Sequence, residues 1–317
     1  MGTPNQTMTL RLGTRGSSLA RRQSQMIADL LEKHHPELVV ELIICKTTGD
    51  RIQDKPLYEV GGKGVFTKEL EEALLAKTVD FAVHSFKDVP VTMPLVEQGN
   101  LTIAAVPHRE DVRDVLVSFE AKSIEDLPKG ANVGTGSLRR RCQLLAIRPD
   151  LKVELIRGNI DTRIRKQRRG AHDAVVLALA GLKRGGLFDD ADMTPIPVEQ
   201  ILPAAAQGAL AIQCRRDDEK TRQLLAVLDD PTTHRCVDLE RALVQALNGD
   251  CHSPIAAYAN MEAKQFHLRA AVSARGGELP VIHADATSTD PQASLVAVMK
   301  SLESQHVRAL LAGTSRS

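Results

Sequence analysis

Tryptophan is absent from the 317-residue chain, and aromatic residues make up only 3% of it. We therefore expect a hydrophobic core built from Leu, Val, Ile and Ala. No apolar run approaches the roughly 20 residues that a membrane-spanning helix needs. The stretch from Met1 to Thr9 is polar and lacks the apolar segment of a secretion signal. These absences favour a cytoplasmic protein without a membrane partner.

A large excess of charge is also lacking, because the formal net charge is only +1. The chain therefore has no global field that would attract nucleic acid or an anionic membrane. Its five cysteines include no Cys-x-x-Cys, and its ten histidines include no His-Glu-x-x-His. We expect no metal site, and a reducing cytoplasm suits these cysteines.

The stretch from Asp80 to Pro90 passes from apolar to polar residues. Phe81-Ala82-Val83 indicates the end of a buried strand, and Ser85, Lys87 and Asp88 follow it. An open α/β sheet presents its chemistry at the carboxyl ends of its strands, so the pattern favours a functional Lys-Asp pair. A solvated turn with an incidental Lys-Asp pair is the alternative that spacing alone leaves open.

Two stretches predict a strand, a turn of small residues and a helix. In the first, Arg15 lies in the turn and Ser17 or Ser18 can cap the helix. The second, Asn132 to Arg141, has small residues, a capping serine at Ser137 and then arginines in the first helical turns. Helix N-termini favour anions, and cations there oppose the helix dipole, so a bound polyanion would explain the arginines. A surface charge at Arg15 and a solvated basic face in the second stretch are the alternatives.

Three glycines surround Lys63 between Val60 and Phe66. The order Gly-Lys-Ser/Thr is missing, so this is not a P-loop. Glycine content favours a mobile flap and a plain lead into the next helix equally.

Cys251 differs from the other cysteines by its position. It follows a helix stop at Asn248-Gly249-Asp250 and lies in a loop, whereas the other four lie in apolar or helical contexts typical of packing. A loop thiol is available for covalent attachment or nucleophilic catalysis. An idle loop thiol is the alternative.

Alternating strand and helix patterns predict βαβ units and parallel sheets, in one set near residues 9–103 and another near 109–201. A short strand is expected after Glu199, and the strand Ala209 to Cys214 could cross back to the first set. Beyond it, three strands and two helices indicate a small α+β domain, whose last helix runs from about Pro291 to Leu310. The expected domains are residues 1–103 with 204–225, residues 109–201, and residues 229–317.

Five stretches, taken together and in this order, resemble the porphobilinogen deaminase (hydroxymethylbilane synthase) family. They are Val83 to Pro90, Gly134 to Arg140, Leu155 to Asn159, Leu202 to Gly208, and Asp250 to Ile255. Matching stretches cover nearly the whole chain. The resemblance implies an α/β fold with two doubly wound domains similar to periplasmic binding proteins, plus a small α+β C-terminal domain that carries the cysteine.

The resemblance also implies a reaction in haem biosynthesis. A dipyrromethane cofactor would be held by a thioether bond to Cys251, and four porphobilinogen molecules would be joined to it head to tail. Ammonia leaves at each addition, and hydrolysis releases hydroxymethylbilane. Asp88 matches the catalytic aspartate, and a carboxylate there would stabilise the cation that forms when ammonia leaves and shuttle protons. The implied protein is a monomer whose partner is porphobilinogen alone.

Each pyrrole brings an acetate and a propionate, which bidentate arginines suit. By resemblance, the cofactor-binding positions are Cys251, Lys87, Asp88, Thr135, Ser137, Arg139 and Arg140. The substrate-binding positions are Arg15, Ser17, Arg157 and Arg163, together with Arg184, which is a weaker match, and Lys63.

Several positions depart from the commoner family pattern. Glu59 replaces a lysine, Gly136 a serine and Ala206 a glycine, while Asp250 and His252 flank the cysteine in place of glycine and glutamine. None of these changes removes a group that the chemistry requires.

Two other functions are compatible with parts of the sequence. A non-catalytic, two-lobed binding protein for a small carboxylate would carry similar arginines, but it would need neither Cys251 nor a third domain. A nucleic-acid binder could use the arginines of 139–141 and 163–169, but the near-zero net charge and the scarcity of aromatics count against it.

Overall fold

A computed structural model describes residues 8–46, 67–91, 99–250 and 253–313. The glycine loop with Lys63, Glu59, and the pair Cys251-His252 lie outside these ranges. Within the described ranges, none of the helices combines the length and the apolarity that crossing a bilayer requires.

The strands follow the apolar runs of the sequence. In chain order they are β1 Met8–Arg15, β2 Leu38–Cys45, β3 Phe81–Ser85, β4 Leu101–Ala105, β5 Asp114–Val117, β6 Asn132–Gly134, β7 Lys152–Glu154, β8 Ala174–Ala178, β9 Met193–Pro195, β10 Leu210–Arg215, β11 Ile255–Glu262, β12 Gln265–Ser273 and β13 Val281–Ser288.

The helices begin at polar caps, such as Ser17, Ser137 and Asp290. In chain order they are α1 Ser18–His34, α2 Lys68–Leu75, α3 Leu138–Ile147, α4 Ile160–Arg168, α5 Leu179–Arg184, α6 Glu219–Leu225, α7 Pro231–Ala246, α8 Pro291–Ser304 and α9 Val307–Ala312. A 3₁₀ turn covers Phe86–Asp88.

Two five-stranded sheets and one three-stranded sheet make up the described structure. The first has the order β2-β1-β3-β10-β4, the second β7-β6-β8-β5-β9, and the third β11-β12-β13. This confirms the predicted α/β class with two doubly wound sheets and a small α+β part. The chain forms two compact units: the first unit contains the first sheet, and the second unit contains the second and third sheets. The division into three domains stays a prediction.

The expectation of parallel sheets is only partly right. β1 runs parallel to β2 and β3, and β6 runs parallel to β7 and β8. β10 is antiparallel to both β3 and β4, and β5 is antiparallel to both β8 and β9. These reversed strands need no crossover helix before them, which is why the helix-strand alternation of the sequence does not reveal them. The return of β10 to the first sheet is confirmed.

The prediction of a short strand after Glu199 is wrong, because the strand in this region is β9, which ends at Pro195. The apolar residues Ile201 and Leu202 are buried without forming a strand. The side chain of Gln143 replaces a neighbouring strand: its Oε1 accepts from Leu202 N at 2.8 Å and its Nε2 donates to Leu202 O at 3.1 Å.

The prediction of a single final helix is also wrong, because this region forms two helices, α8 and α9. His306 adopts a left-handed backbone with φ 61°, which ends the first helical segment and starts the second. The apolar spacing continues through the break, so periodicity could not reveal it.

The cores are mostly aliphatic, as the scarcity of aromatics predicts, although Phe81, Phe86 and Phe266 are also buried. In the first unit, α1 packs Ile27 and Leu31 onto Leu12 and Ile212 of the sheet. Separate clusters, one containing Leu116, Val133 and Leu144 and the other Val115, Val175 and Leu182, pack within the second unit. The buried strands hold the residues that follow them in fixed positions at the ends of the sheets.

Candidate functional site

In the first unit, candidate residues meet at one end of the first sheet. β1 and β3 are parallel neighbours with Gly13 opposite Ala82, so their carboxyl ends lie at the same edge. Arg15 ends β1, and Lys87 and Asp88 lie in the 3₁₀ turn directly after β3. All three are half-buried. The predicted strand end with its Lys-Asp pair is therefore present, with an arginine at the same edge.

Helix α1 begins at this edge. The Ser17 hydroxyl accepts a hydrogen bond from Ala20 N at 3.3 Å and caps the helix, as the sequence predicts. The 17-residue helix places the positive end of its dipole beside Arg15. The combination favours an anionic group at this end of the sheet.

A chain of buried polar side chains supports the turn that carries Asp88. His84 Nε2 lies 3.0 Å from Gln213 Oε1, and Gln213 Nε2 donates to Glu71 Oε1 at 3.1 Å. An amide oxygen can only accept, so His84 is protonated on Nε2 and its tautomer is fixed. Burial lowers the pKa of His84 to about 4, against the opposing effect of the Gln213 bond. Burial also raises the pKa of Glu71.

The turn is anchored on its other side as well. Gln23 Nε2 and the Ser85 hydroxyl are 3.2 Å apart, and Phe86 N donates to Ala209 O at 3.0 Å. The Phe86 side chain is buried between the polar residues that flank it. These contacts fix the backbone from which the side chain of Asp88 projects.

In the second unit, another group of candidates gathers at the carboxyl edge of three parallel strands. Thr135 and Ser137 follow β6, Arg157 follows β7, and Arg184 lies at the end of the helix that follows β8. Strands that run in parallel bring these residues to one edge of the second sheet.

The two hydroxyl residues shape the start of α3. Ser137 Oγ accepts from Arg140 N at 3.4 Å, and Thr135 Oγ1 accepts from Ser137 N at 3.2 Å. A Cβ on Gly136 would lie 3.3 Å from Ile156 O. A serine at this position would therefore require the neighbouring chain to shift by a few tenths of an ångström.

Arg139 and Arg140 are buried and share one carboxylate, that of Asp114. Arg139 Nη2 donates to Asp114 Oδ2 at 2.9 Å, and Arg140 Nη2 donates to Asp114 Oδ1 at 2.7 Å. Each guanidinium also donates from Nη1 to a backbone oxygen, that of Leu202 at 2.6 Å and that of Val176 at 3.0 Å. The alternative of a solvated basic face is wrong for these two arginines.

This cluster carries one more positive charge than negative charge. Burial alone would raise the pKa of the Asp114 carboxyl, but Arg139 and Arg140 hold it below its ordinary value. Burial lowers the pKa of Arg139, and Asp114 opposes this effect. The Nε–H groups of both arginines are buried and have no hydrogen-bond partner among the described residues. The cluster thus has donors and charge to offer an anion.

Arg157, Arg163 and Arg184 are half-buried. Arg163 Nε donates to Gly158 O at 2.8 Å, and Arg184 Nη2 donates to Gly208 O at 2.8 Å. Burial lowers the pKa of Arg184 to about 10, and Glu110 opposes this effect. A partly desolvated guanidinium of this kind gains from a carboxylate ligand.

The turn after Arg157 requires glycine. Gly158 has φ 114°, and a Cβ there would lie 2.7 Å from Thr162 Cγ2. The Arg-Gly-Asn sequence of this turn therefore reflects a backbone constraint as well as the chemistry of its arginine.

Sequence reasoning missed the buried partners of these candidates. Asp114 begins an otherwise apolar strand that is buried throughout, and a charge in such a strand is a signal of a buried counter-charge. Glu240 lies within the apolar pattern of α7 and accepts from Ala206 N at 2.6 Å and Ala259 N at 2.8 Å. Ala206 itself has φ 62°, a conformation that favours glycine.

Comparison with known proteins gives matches over most of the chain. Residues 10–223 match the family described as "Porphobilinogen deaminase, dipyromethane cofactor binding domain", and residues 234–302 match "Porphobilinogen deaminase, C-terminal domain". A porphobilinogen deaminase of Acidithiobacillus ferrooxidans (strain ATCC 53993 / BNL-5-31) is 46% identical over 297 residues, which are 94% of this chain and 95% of that protein. One of Roseiflexus sp. (strain RS-1) is 44% identical over 305 residues, 96% of this chain and 99% of that protein.

Among solved structures, a nutrient binding protein from Burkholderia cenocepacia bound to methionine is similar, with 14% identity and a TM-score of 0.43. The similarity covers 76% of this chain and 97% of that one.

Proposed function

The chain belongs to the porphobilinogen deaminase family, and we propose that it joins four porphobilinogen molecules head to tail onto a covalent dipyrromethane primer. Ammonia leaves at each addition, and hydrolysis releases hydroxymethylbilane at the end. The family match over nearly the whole chain carries this proposal. The carboxyl edge of the first sheet, where Asp88 lies with Lys87 and Arg15, supports it with suitable chemistry.

We assign the proton chemistry to Asp88. Its carboxylate would stabilise the positive charge that develops on the substrate as ammonia leaves, and it would accept and return protons at the pyrrole nitrogen. The anchored turn after β3 supports this role, because a fixed backbone limits the positions that the carboxylate can reach. Lys87 adds a positive charge for substrate or cofactor carboxylates.

We assign the recognition of substrate acids to polar residues of the two units, together with Lys63, which lies outside the described residues. The set is Arg15, Ser17, Arg157, Arg163, Arg184 and Lys63. Charge and burial support the choice of Arg184, since its desolvated guanidinium would gain a charge-assisted hydrogen bond. The positive end of the α1 dipole supports Arg15 and Ser17.

The residues of the second unit fit the implied cofactor. A dipyrromethane carries carboxylates, and the buried, unpartnered Nε–H groups of Arg139 and Arg140 are donors of the kind that carboxylates need. We propose that Lys87, Asp88, Thr135, Ser137, Arg139 and Arg140 hold it, with Cys251 as the thioether anchor. When bound, it supplies the pyrrole carbon to which the first substrate is joined.

Intact mass spectrometry with peptide mapping tests this function. We expect a mass excess equal to one dipyrromethane, located on the peptide with Cys251. Cys251→Ala should lose the excess, and Cys45→Ala should keep it as the matched control, since Cys45 ends β2 as a half-buried residue. A chain without the excess that also fails to acquire it from porphobilinogen would contradict the proposal.

The same experiment separates the two-lobed carboxylate-binding protein, which would carry no covalent group. We further propose a cytoplasmic monomer that uses neither nucleic acid nor a membrane as a partner, in keeping with a net charge of +1. Light scattering on a sizing column checks the monomer, because a dimer would give twice the mass of one chain. Salt-dependent retention on DNA would contradict the absence of nucleic acid as a partner.

A further inference from the structure

Asp114 is the one acidic side chain that contacts both Arg139 and Arg140 among the described residues. It is fully buried, and both of its oxygens are used. Each oxygen takes one guanidinium, so a single carboxylate holds the two arginines next to each other. Two guanidiniums placed together in the interior repel, and the shared anion offsets this repulsion.

Gln207 fixes the carboxylate in turn. Its Nε2 donates to Asp114 Oδ1 at 2.8 Å and to Val112 O at 2.7 Å. Arg139 also donates to Leu202 O, and Leu202 lies eight residues before the start of β10 at Leu210. Two of the stretches that mark the family, Gly134 to Arg140 and Leu202 to Gly208, are thus joined through a residue that belongs to neither.

The contacts of both guanidiniums leave the same atom unused. Arg139 and Arg140 each donate from Nη1 to a backbone oxygen and from Nη2 to the Asp114 carboxylate. Their Nε–H groups remain buried and without a partner among the described residues. Buried donors without acceptors are unfavourable, so a ligand carboxylate at these atoms would be stabilising.

We propose that Asp114 is the positioning residue of cofactor binding: it holds both guanidiniums through their Nη2 atoms and leaves their Nε–H groups for the carboxylates of the cofactor. This inference rests on the proposed function. Asp114 touches neither cofactor nor substrate, and it acts through the two arginines. The cluster keeps one positive charge in excess, which a bound carboxylate neutralises.

Loading of the cofactor is the measurement that tests Asp114. The full-length chain is produced without porphobilinogen, mixed with porphobilinogen, and followed by intact mass, so that the readout is the loaded fraction and not turnover. Asp114→Asn keeps the shape of the side chain and removes its charge. We expect it to load at least tenfold more slowly than the unmodified chain.

Two further variants separate positioning from a purely structural role. Asp114→Glu restores the charge but overpacks a buried site, so we expect it to be less stable than Asp114→Asn and yet to load faster. Asp192→Asn is the matched control, because Asp192 is another buried carboxylate of this unit and pairs with Arg168. It should load at the rate of the unmodified chain.

Loading rates that follow the order of thermal stability, or an Asp114→Asn chain that loads normally, would overturn the inference. If Asp114→Asn does not fold, Gln207→Leu replaces it, since this change removes one hydrogen bond to Asp114 and keeps both ion pairs. Loading of that variant should slow two- to fivefold, and an unchanged rate would overturn the inference. If the unmodified chain itself never loads, the proposed function has failed, which is a different outcome.

Discussion

The buried histidine under the Asp88 turn predicts a specific dependence of stability on pH. An ordinary histidine has a pKa of about 6.5, and burial lowers the pKa of His84 to about 4, with Gln213 opposing and the charge of Arg15 adding to the effect. Between these values the unfolded chain binds a proton that the folded chain does not. Stability from this group is therefore complete above about pH 6.5 and falls as the pH is lowered towards 4.

The magnitude follows from the two pKa values. The gap corresponds to about 3 kcal/mol of unfolding free energy below pH 4, and to about 2 kcal/mol at pH 5. Glu71, at the other end of the polar chain, has a raised pKa. Its contribution to the unfolding free energy therefore increases as the pH falls. Its contribution is common to the chains compared and cancels in the difference between them.

The assay is urea unfolding at pH 8, 7, 6 and 5 for the unmodified chain and for His84→Gln. Glutamine does not titrate and keeps an N–H for Gln213. Between pH 8 and pH 5, the unfolding free energy of His84→Gln should therefore fall by about 2 kcal/mol less than that of the unmodified chain. His34→Gln is the control, because His34 is exposed on the last turn of α1, and it should follow the unmodified chain. Parallel curves for the unmodified chain and His84→Gln would refute the reasoning.

Three other predictions concern backbone strain and catalysis. Ala206→Gly should raise the unfolding free energy by about 0.5–1 kcal/mol in urea, because φ 62° is strained for alanine; a loss of stability would show that the strain is absent. Gly158→Ala should lower it by about 2 kcal/mol or more, and Gly130→Ala, at φ 73° with nothing within 4 Å of the added Cβ, by only about 1 kcal/mol. Equal losses would argue against the clash with Thr162. Asp88→Asn should lower turnover about 100-fold or more while the covalent mass remains, and normal turnover would remove Asp88 from the catalytic role.

Much of the fold could be predicted because apolar runs and turn residues coincide. The apolar run Phe81-Ala82-Val83 lies in β3 as predicted, and Ser17 and Ser137 cap their helices. Strand direction could not be predicted for β5 and β10, because it depends on which strand each one pairs with in the folded chain. The break at His306 is set by one backbone angle that the surrounding apolar pattern does not encode.

The candidate site shows a similar division. Asp88 follows the strand end predicted at Phe81-Ala82-Val83, and the structure places Asp88 after β3 and Arg157 after β7. The pairing of Asp114 with Arg139 and Arg140 is a contact over more than twenty residues of sequence. Residue types alone could indicate that the arginines need an anion, but not that the protein supplies part of it. Roles in binding and catalysis stay predictions.

The position of β10 has a consequence for biosynthesis of the chain. β10, Leu210–Arg215, lies between β3 and β4, and among the described strands it is the only neighbour of β4. In a nascent chain that has emerged only as far as Ala105, β4 therefore lacks its hydrogen-bonding partner β10. The unpaired edge of β4 is then exposed to other chains. The first sheet can be completed only after the roughly one hundred residues between β4 and β10 have been synthesised. Truncated fragments that stop before Arg215 should consequently aggregate on the ribosome or require a chaperone.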